Sequence, residues 1–353
     1  MGMADRKLDD FDRFVSYLPL LVIFVGLIGN TTCFFVFRFS KHFKTIPCMV
    51  FLSFVAIGDT ASLFVWNLNH FLKPNFKIEL EYLNGFSCRF FPFLQLFSLQ
   101  TSSNLLSIMC IDRFFTIIST PGSIYSRLPF STLKTSYIWS ITIIVLLFFL
   151  NFHFLIFNGN YQPLKSVINV TFSELLNISY VNKNTQIPIY EKCFWYGPYF
   201  RIYPLLDQIN LIVYNFIPFT IMFIFNILLI SKTLMLNNTI KNMQSKEAIR
   251  AIMKKRRLTV SILSITFAFI ILTMPSTISF SYFFEYFFSY SKGPSIINLI
   301  DSLAFFYHSS LFFNCFFTNI KFRKYVMRNL FGFKKRSKKA FIGANQTAGS
   351  VMN

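Results

Sequence analysis

One acid in this sequence stands where an acid is costly. Asp59 is the only charged residue between Thr45 and Leu72, and a carboxylate within so apolar a segment is expensive enough that its default reading is functional. Further on, Asp112-Arg113-Phe114 closes a charge-free stretch that begins at Phe90. Arg113 is there either to meet a partner or as a base snorkelling at a membrane boundary. Cys88 precedes it by 25 residues, about 37 Å of helix at 1.5 Å per residue, so the two residues lie at opposite ends of one span. Of the six cysteines, only Cys88 and Cys193 fall on the side away from Arg113. A disulfide between them is expected, the alternative being two outer thiols. Other acids sit at the outer rims: Glu79, Glu81, Asp207, Glu285 and Asp301. They suit a cationic ligand, or they merely keep the rim soluble. No metal-ligand cluster, Gly-rich phosphate loop or nucleophile-base pair is visible, and His42, His70, His153 and His308 are scattered over different segments, so no enzyme is expected.

Elements that could hold these residues follow from the distribution of charge. The chain of 353 residues has 34 Lys+Arg against 14 Asp+Glu, a net +20 that would suit nucleic acid. Yet 54% of it is hydrophobic, 50 residues are Phe and mean hydropathy is +0.51. A soluble basic domain, a disordered chain and a small disulfide scaffold are all excluded. Six uncharged runs are long enough to span a bilayer: Phe14 to Phe37, Phe90 to Ile111, Thr135 to Leu164, Gln208 to Ser231, Leu258 to Phe284 and Ser302 to Ile320. Thr45 to Leu72, interrupted only by Asp59, makes a seventh. With seven spans and the N-terminus outside, 23 of the 34 basic residues face inward. The inner face is then +21 and the outer face 0, the asymmetry expected of a multi-pass protein. A six-span arrangement without the second run gives the same inner count, so motifs must decide.

The motifs, in order, resemble those of the rhodopsin-like (class A) G-protein-coupled receptors over roughly residues 15 to 333. Gly29-Asn30 is similar to the Gly-Asn of helix one, Val55-Ala56-Ile57-Gly58-Asp59 to the Leu-Ala-x-x-Asp of helix two, and Asp112-Arg113-Phe114 to the Asp-Arg-Tyr of helix three. Trp139, Pro218, Phe269 and Pro275 match single residues of helices four, five and six. There are departures. Thr273 replaces the helix-six Trp, so the aromatic toggle of the family is missing. In helix seven, His308-Ser309-Ser310-Leu311 resembles the Asn-Ser lead-in, which sets Phe312 to Phe316 against Asn-Pro-x-x-Tyr. A rival register sets Asn314-Cys315 at Asn-Pro, and in both the Pro and the Tyr are absent.

The resemblance implies an all-α membrane protein: a seven-transmembrane helix bundle over residues 14–320, after an extracellular N-terminus (1–13). A short amphipathic membrane-surface helix (321–333) and a basic cytoplasmic tail (334–353) follow. It implies coupling to a heterotrimeric G protein through Asp112, Arg113 and Phe114, with Lys254 and Lys255 at the inner end of helix six. Because Lys255 stands where relatives carry an acid that restrains the Arg, basal signalling is expected. It also implies a sodium ion at Asp59, Ser102 and Ser309, the alternative being hydrogen bonds from Asp59 to Asn30 and Ser309; no other cofactor is expected. Gln95 replaces the amine-binding Asp of helix three, which speaks against a monoamine. Thr45-Ile46-Pro47-Cys48, the uncharged upper bundle and the long outer loop look like invertebrate neuropeptide receptors for short amidated Arg-Phe peptides. A peptide would meet Asp207, Glu285 and Asp301 at the rim and Gln95, Leu99 and Phe280 below it. Sequons place glycans at Asn169 and Asn177. The expected setting is the plasma membrane with anionic lipid at the inner leaflet, and no nucleic acid. Alternatives are a chemosensory or other seven-helix receptor for a non-peptide ligand, and a transporter or channel, against which the single mid-membrane acid argues.

Overall fold

The structure is a computed structural model that describes residues 9–119, 124, 128–162, 190–196, 200–202, 205–241, 246–329 and 332; of residues 160–162, 190–192, 236–241, 246–258 and 288 the backbone alone is described. Seven long helical spans run through these residues. The first is Asp10–Phe39, entered through Asp9, whose carboxylate caps the Asp12 N–H. The second, Pro47–Phe76, starts on a proline that has no N–H to leave unpaired, and it breaks after Ser62 before resuming at Trp66. The third, Gly85–Ile118, and the fourth, Leu133–Phe157, each open on a capping box, Asn84 with Ser87 and Thr132 with Thr135. The fifth is Leu205–Met235, the sixth is carried by Lys246–Tyr282, and the seventh is Gly293–Ser309 with Leu311–Thr318, bent by 53° between them.

Six of these spans are apolar enough to cross a bilayer on composition alone. The third is not, for a physical reason: it is the central helix, packed on the second and fifth. Gln100, Thr101, Ser102, Ser103 and Ser107 line it, and all are buried against protein and not lipid. Outer faces carry the opposite pattern, with Leu21, Phe24, Leu146, Phe149, Ile271 and Phe317 exposed. The fold is thus an all-α seven-helix membrane bundle.

Two bends shape its interior. In the fifth span, Leu211–Phe216 is a π-helical turn just before Pro218. Pro218 has no N–H to offer the carbonyl of Tyr214 four residues back, and a wider turn absorbs the break. The seventh span bends with no proline at all. Ser309 and Ser310 donate their hydroxyls to the carbonyls of Phe306 and Tyr307, at 2.8 and 2.7 Å, and Ser-rich back-bonding of this kind bends helices. Phe313, in the position of the missing proline, is not needed for the bend.

Beyond the seventh span, Ile320–Asn329 forms the amphipathic helix. Phe322 and Val326 are buried, Phe322 against Phe37, Phe43 and Phe312, while Arg323, Lys324 and Arg328 face outward. Of the expected 321–333, residues 330, 331 and 333 lie outside the described residues, as does the 334–353 tail. At the outer side Cys88 and Cys193 form a disulfide with Cα atoms 5.6 Å apart. Asn160–Gln162 and Tyr190–Lys192 pair antiparallel beside it, so the uncharged run from Thr135 leaves the helix after Phe157 and continues as a strand over Asn160–Gln162.

A candidate ligand cavity and the polar chain beneath it

A cavity of about 610 Å³ lies between the outer halves of the second, third, fifth, sixth and seventh spans. Among the described residues five acids line it, Glu79, Glu81, Asp207, Glu285 and Asp301, against two fixed cations, Lys73 and Arg201. Leu99, Phe280 and Phe305 supply apolar wall, and Tyr214 with His308 lies among its lining residues. Lys73 pairs with Glu79 at 3.0 Å in a partly exposed bridge, worth at most about 1 kcal/mol. Glu81 is buried and accepts from the Asn69 amide at 2.5 Å; its burial raises the carboxyl above the usual 4.5.

Asp301 departs from expectation. Counting charges ends the seventh run at Ser302 and leaves Asp301 above it, but the helix begins at Gly293 and encloses Asp301, which is only 8% exposed. Its two oxygens are met by His70 Nε2 and by the Ser276 hydroxyl, both at 2.5 Å. Such partners are what allow a carboxylate inside a span. Gln95 departs further, for it is fully buried and does not line the cavity. The break in the second span leaves the Trp66 N–H without a helical acceptor, and Gln95 Oε1 takes it at 3.1 Å. Asp207 sits in the first turn of the fifth span and Glu285 in the short helix Phe284–Ser289, both on the cavity wall.

Below the cavity a polar chain crosses the bundle. His308 is the link: its Nδ1 lies 2.7 Å from Asp59 Oδ1 and its Nε2 lies 2.8 Å from the Tyr214 hydroxyl, while its carbonyl accepts from the Asn30 amide at 2.9 Å. One residue, through its ring and its carbonyl, thereby ties the first, second, fifth and seventh spans. The π turn sets both Tyr214 and Asn215 inward. Asn215 meets Thr273 Oγ1 at 3.0 Å and also Thr277, so Thr273 is a polar bridge from the sixth span to the fifth. Phe269 fills the space below, edge-on to Tyr214 and Tyr307.

Asp59 therefore does not hydrogen-bond Asn30 and Ser309; its partner is a histidine that sequence reasoning left among four scattered ones. For a cation at Asp59, Ser102 and Ser309, the donor set is a poor fit. His308 holds a carboxylate oxygen, and Ser309 is turned to the Phe306 carbonyl. Ser102 Oγ alone is buried without a partner.

At the inner end of the third span, Arg113 Nη2 lies 3.7 Å from Asp112 Oδ2, and Asp112 Oδ1 accepts the Ser131 N–H at 2.7 Å. Arg113 is buried, and its Nε and Nη2 have no hydrogen-bond partner among the described residues. Phe114 packs on Phe225 of the fifth span. Trp139 donates to the Pro129 carbonyl at 2.9 Å and stacks on Phe130, which fixes the inner loop that supplies Ser131. Lys254 and Lys255 lie in the inner extension of the sixth helix, their side chains outside the described residues, as are Asn169 and Asn177 entirely.

No protein-family model matches the chain. Curated relatives do match it in part. The KiSS-1 receptor of Rattus norvegicus is 27% identical over 135 residues, 38% of this chain and 33% of that receptor, and its counterpart in Mus musculus is 26% identical over the same length. A G-protein coupled receptor homolog, FPV027, of Fowlpox virus (strain NVSL) is 29% identical over 119 residues, 33% of this chain and 34% of the viral protein. The matched part thus spans about a third of each relative's length. With the seven-helix bundle and its outer disulfide, this likeness supports the resemblance to class A G-protein-coupled receptors, which are receptors and not enzymes.

Proposed function

We propose that this protein is a plasma-membrane receptor that transmits the binding of an extracellular cationic peptide to a heterotrimeric G protein. One observation carries the ligand class: an outward cavity of about 610 Å³ whose wall, among the described residues, has five acids and two fixed cations. A guanidinium or ammonium group entering it would be attracted over several ångströms, and aromatic residues of the peptide would meet Leu99, Phe280 and Phe305. Short amidated Arg-Phe peptides have both features. The rodent relatives are named for KiSS-1, which supports an extracellular messenger as ligand. Ligand on the cavity floor would touch His308 and Tyr214, and through them the inner half of the bundle, so that binding outside shifts the population that exposes Arg113 inside. In this reading the N-terminus is extracellular and Asn169 and Asn177 carry glycans.

A second-messenger screen in cells against amidated cationic peptides tests this reading. Glu285→Gln, at an exposed position, should raise the half-maximal concentration of an active peptide about tenfold, the effect of losing one charge-assisted contact of roughly 1.4 kcal/mol. Arg113→Ala should abolish the response at matched surface expression. A response that survives Arg113→Ala sinks the coupling mechanism. Unchanged potency in both Glu285→Gln and Asp301→Asn sinks the cationic ligand and leaves the non-peptide alternative.

A further inference from the structure

We propose that His308 takes, against Asp59, the place that a sodium ion would take, so that the middle of the bundle is held by an internal hydrogen donor and is blind to sodium. The pair is almost sealed, each side chain about 1% exposed, with 2.7 Å between Nδ1 and Oδ1. The ring is fixed from every side: Tyr214 serves Nε2, Tyr307 stands edge-on at 5.1 Å between ring centres, and Phe305 tilts against it. With Asp59 as acceptor, Nδ1 carries the hydrogen, and a cation could reach that oxygen only by displacing it. The argument does not depend on the ring's charge. A protonated ring repels a cation directly, whereas a neutral ring loses the acceptor of its Nδ1 hydrogen in a site only about 1% exposed.

The two serine hydroxyls of the candidate set and the next acid offer little compensation. Ser309 Oγ donates to the Phe306 carbonyl, so its hydroxyl is spent within its own helix. Ser102 Oγ has no partner, and it lies against the backbone of Gly58, where even a methyl group would be 2.6 Å away. Asp301, the next acid up the seventh span, is already held by His70 and Ser276. The sodium-free reading needs no ligand and no G protein, and it stands or falls apart from the proposed function.

The test is thermal unfolding of the purified full-length receptor in detergent, in sodium chloride against choline chloride at equal ionic strength. Wild type should melt at the same temperature in both. His308→Ala, which frees the Asp59 oxygen and opens room beside it, should melt lower in choline and gain about 3 °C in sodium, the linkage expected of a ligand well above its dissociation constant. The double variant with Asp59→Asn should lose that gain. A sodium-dependent rise in wild type that disappears in Asp59→Asn would overturn the proposal, and this arm needs no His308 variant to fold. A folded His308→Ala that is as blind to sodium as wild type would overturn it too.

Discussion

Glu81 shows what burial does to a single ionisable group at the outer rim. Desolvation raises its carboxyl above the usual 4.5, and the hydrogen bonds from the loop backbone and Asn69 oppose the shift without cancelling it. The folded state therefore binds that proton more tightly than the unfolded chain does. Its stabilising effect is complete below about pH 4.5 and fades as pH rises through the folded value. Relative to Glu81→Gln, which has no proton to lose, the wild-type melting temperature should fall between pH 4.5 and neutrality; parallel profiles would refute this. Residue types at this scale were legible in the sequence, but their partners were not. Asp59 announces itself by its apolar surroundings, whereas His308 is 249 residues away and looks like one scattered histidine among four. His70 and Asp301, 231 residues apart, pair in the same unforeseen way. Spacing along a chain tells which face of a helix a residue takes, and it says nothing of which side chain on another helix comes within 3 Å.

At the scale of elements, the places where the sequence departs from the receptor pattern are places where hydroxyl and amide groups have taken over. The seventh span bends at Ser309-Ser310 without proline, and Thr273 bridges to Asn215 where an aromatic ring is missing. The inner half of the sixth span follows the same rule. With no acid at Lys255 to hold Arg113, it is tied by Asn226 to Thr266 at 2.7 Å, by Ser264 to Asn314 at 3.2 Å and by Ser261 to Thr318 at 2.8 Å. Basal signalling expected from the missing acid should therefore be limited by these ties. Thr318→Val keeps the shape and removes one donor; at roughly 1 kcal/mol for a part-buried hydrogen bond, it should shift the resting equilibrium about fivefold and raise basal second-messenger output accordingly. Basal output equal to wild type at equal surface expression would show that the clamp does not restrain the helix. Span boundaries were read from charge, and charge misplaced them where an acid is paired inside a helix, as at Asp301. The polar third span is too hydrophilic for hydropathy to mark, and only the absence of charge between Phe90 and Ile111 distinguishes it in the sequence.

For the whole molecule, the net +20 is a statement about sides. With seven spans and the N-terminus outside, basic residues outnumber acids only at the end that holds Arg113, whereas the cavity, among the described residues, gathers five acids around two fixed cations. On the proposed function these asymmetries have separate physical origins: insertion would retain basic loops on the cytoplasmic side, and recognition of a cationic ligand would favour acids at the mouth. They agree on one orientation. An epitope placed before Asp9 should therefore be stained on intact cells, and one placed after the Ile320–Asn329 helix only after permeabilisation. Changing Arg256 and Arg257 to Gln should weaken attraction to anionic lipid by about 1 kcal/mol per charge without inverting the protein, because the other inner segments remain basic. The reverse staining pattern would put the acid-lined cavity in the cytosol, where no extracellular peptide could reach it, and the receptor reading would fail with the orientation.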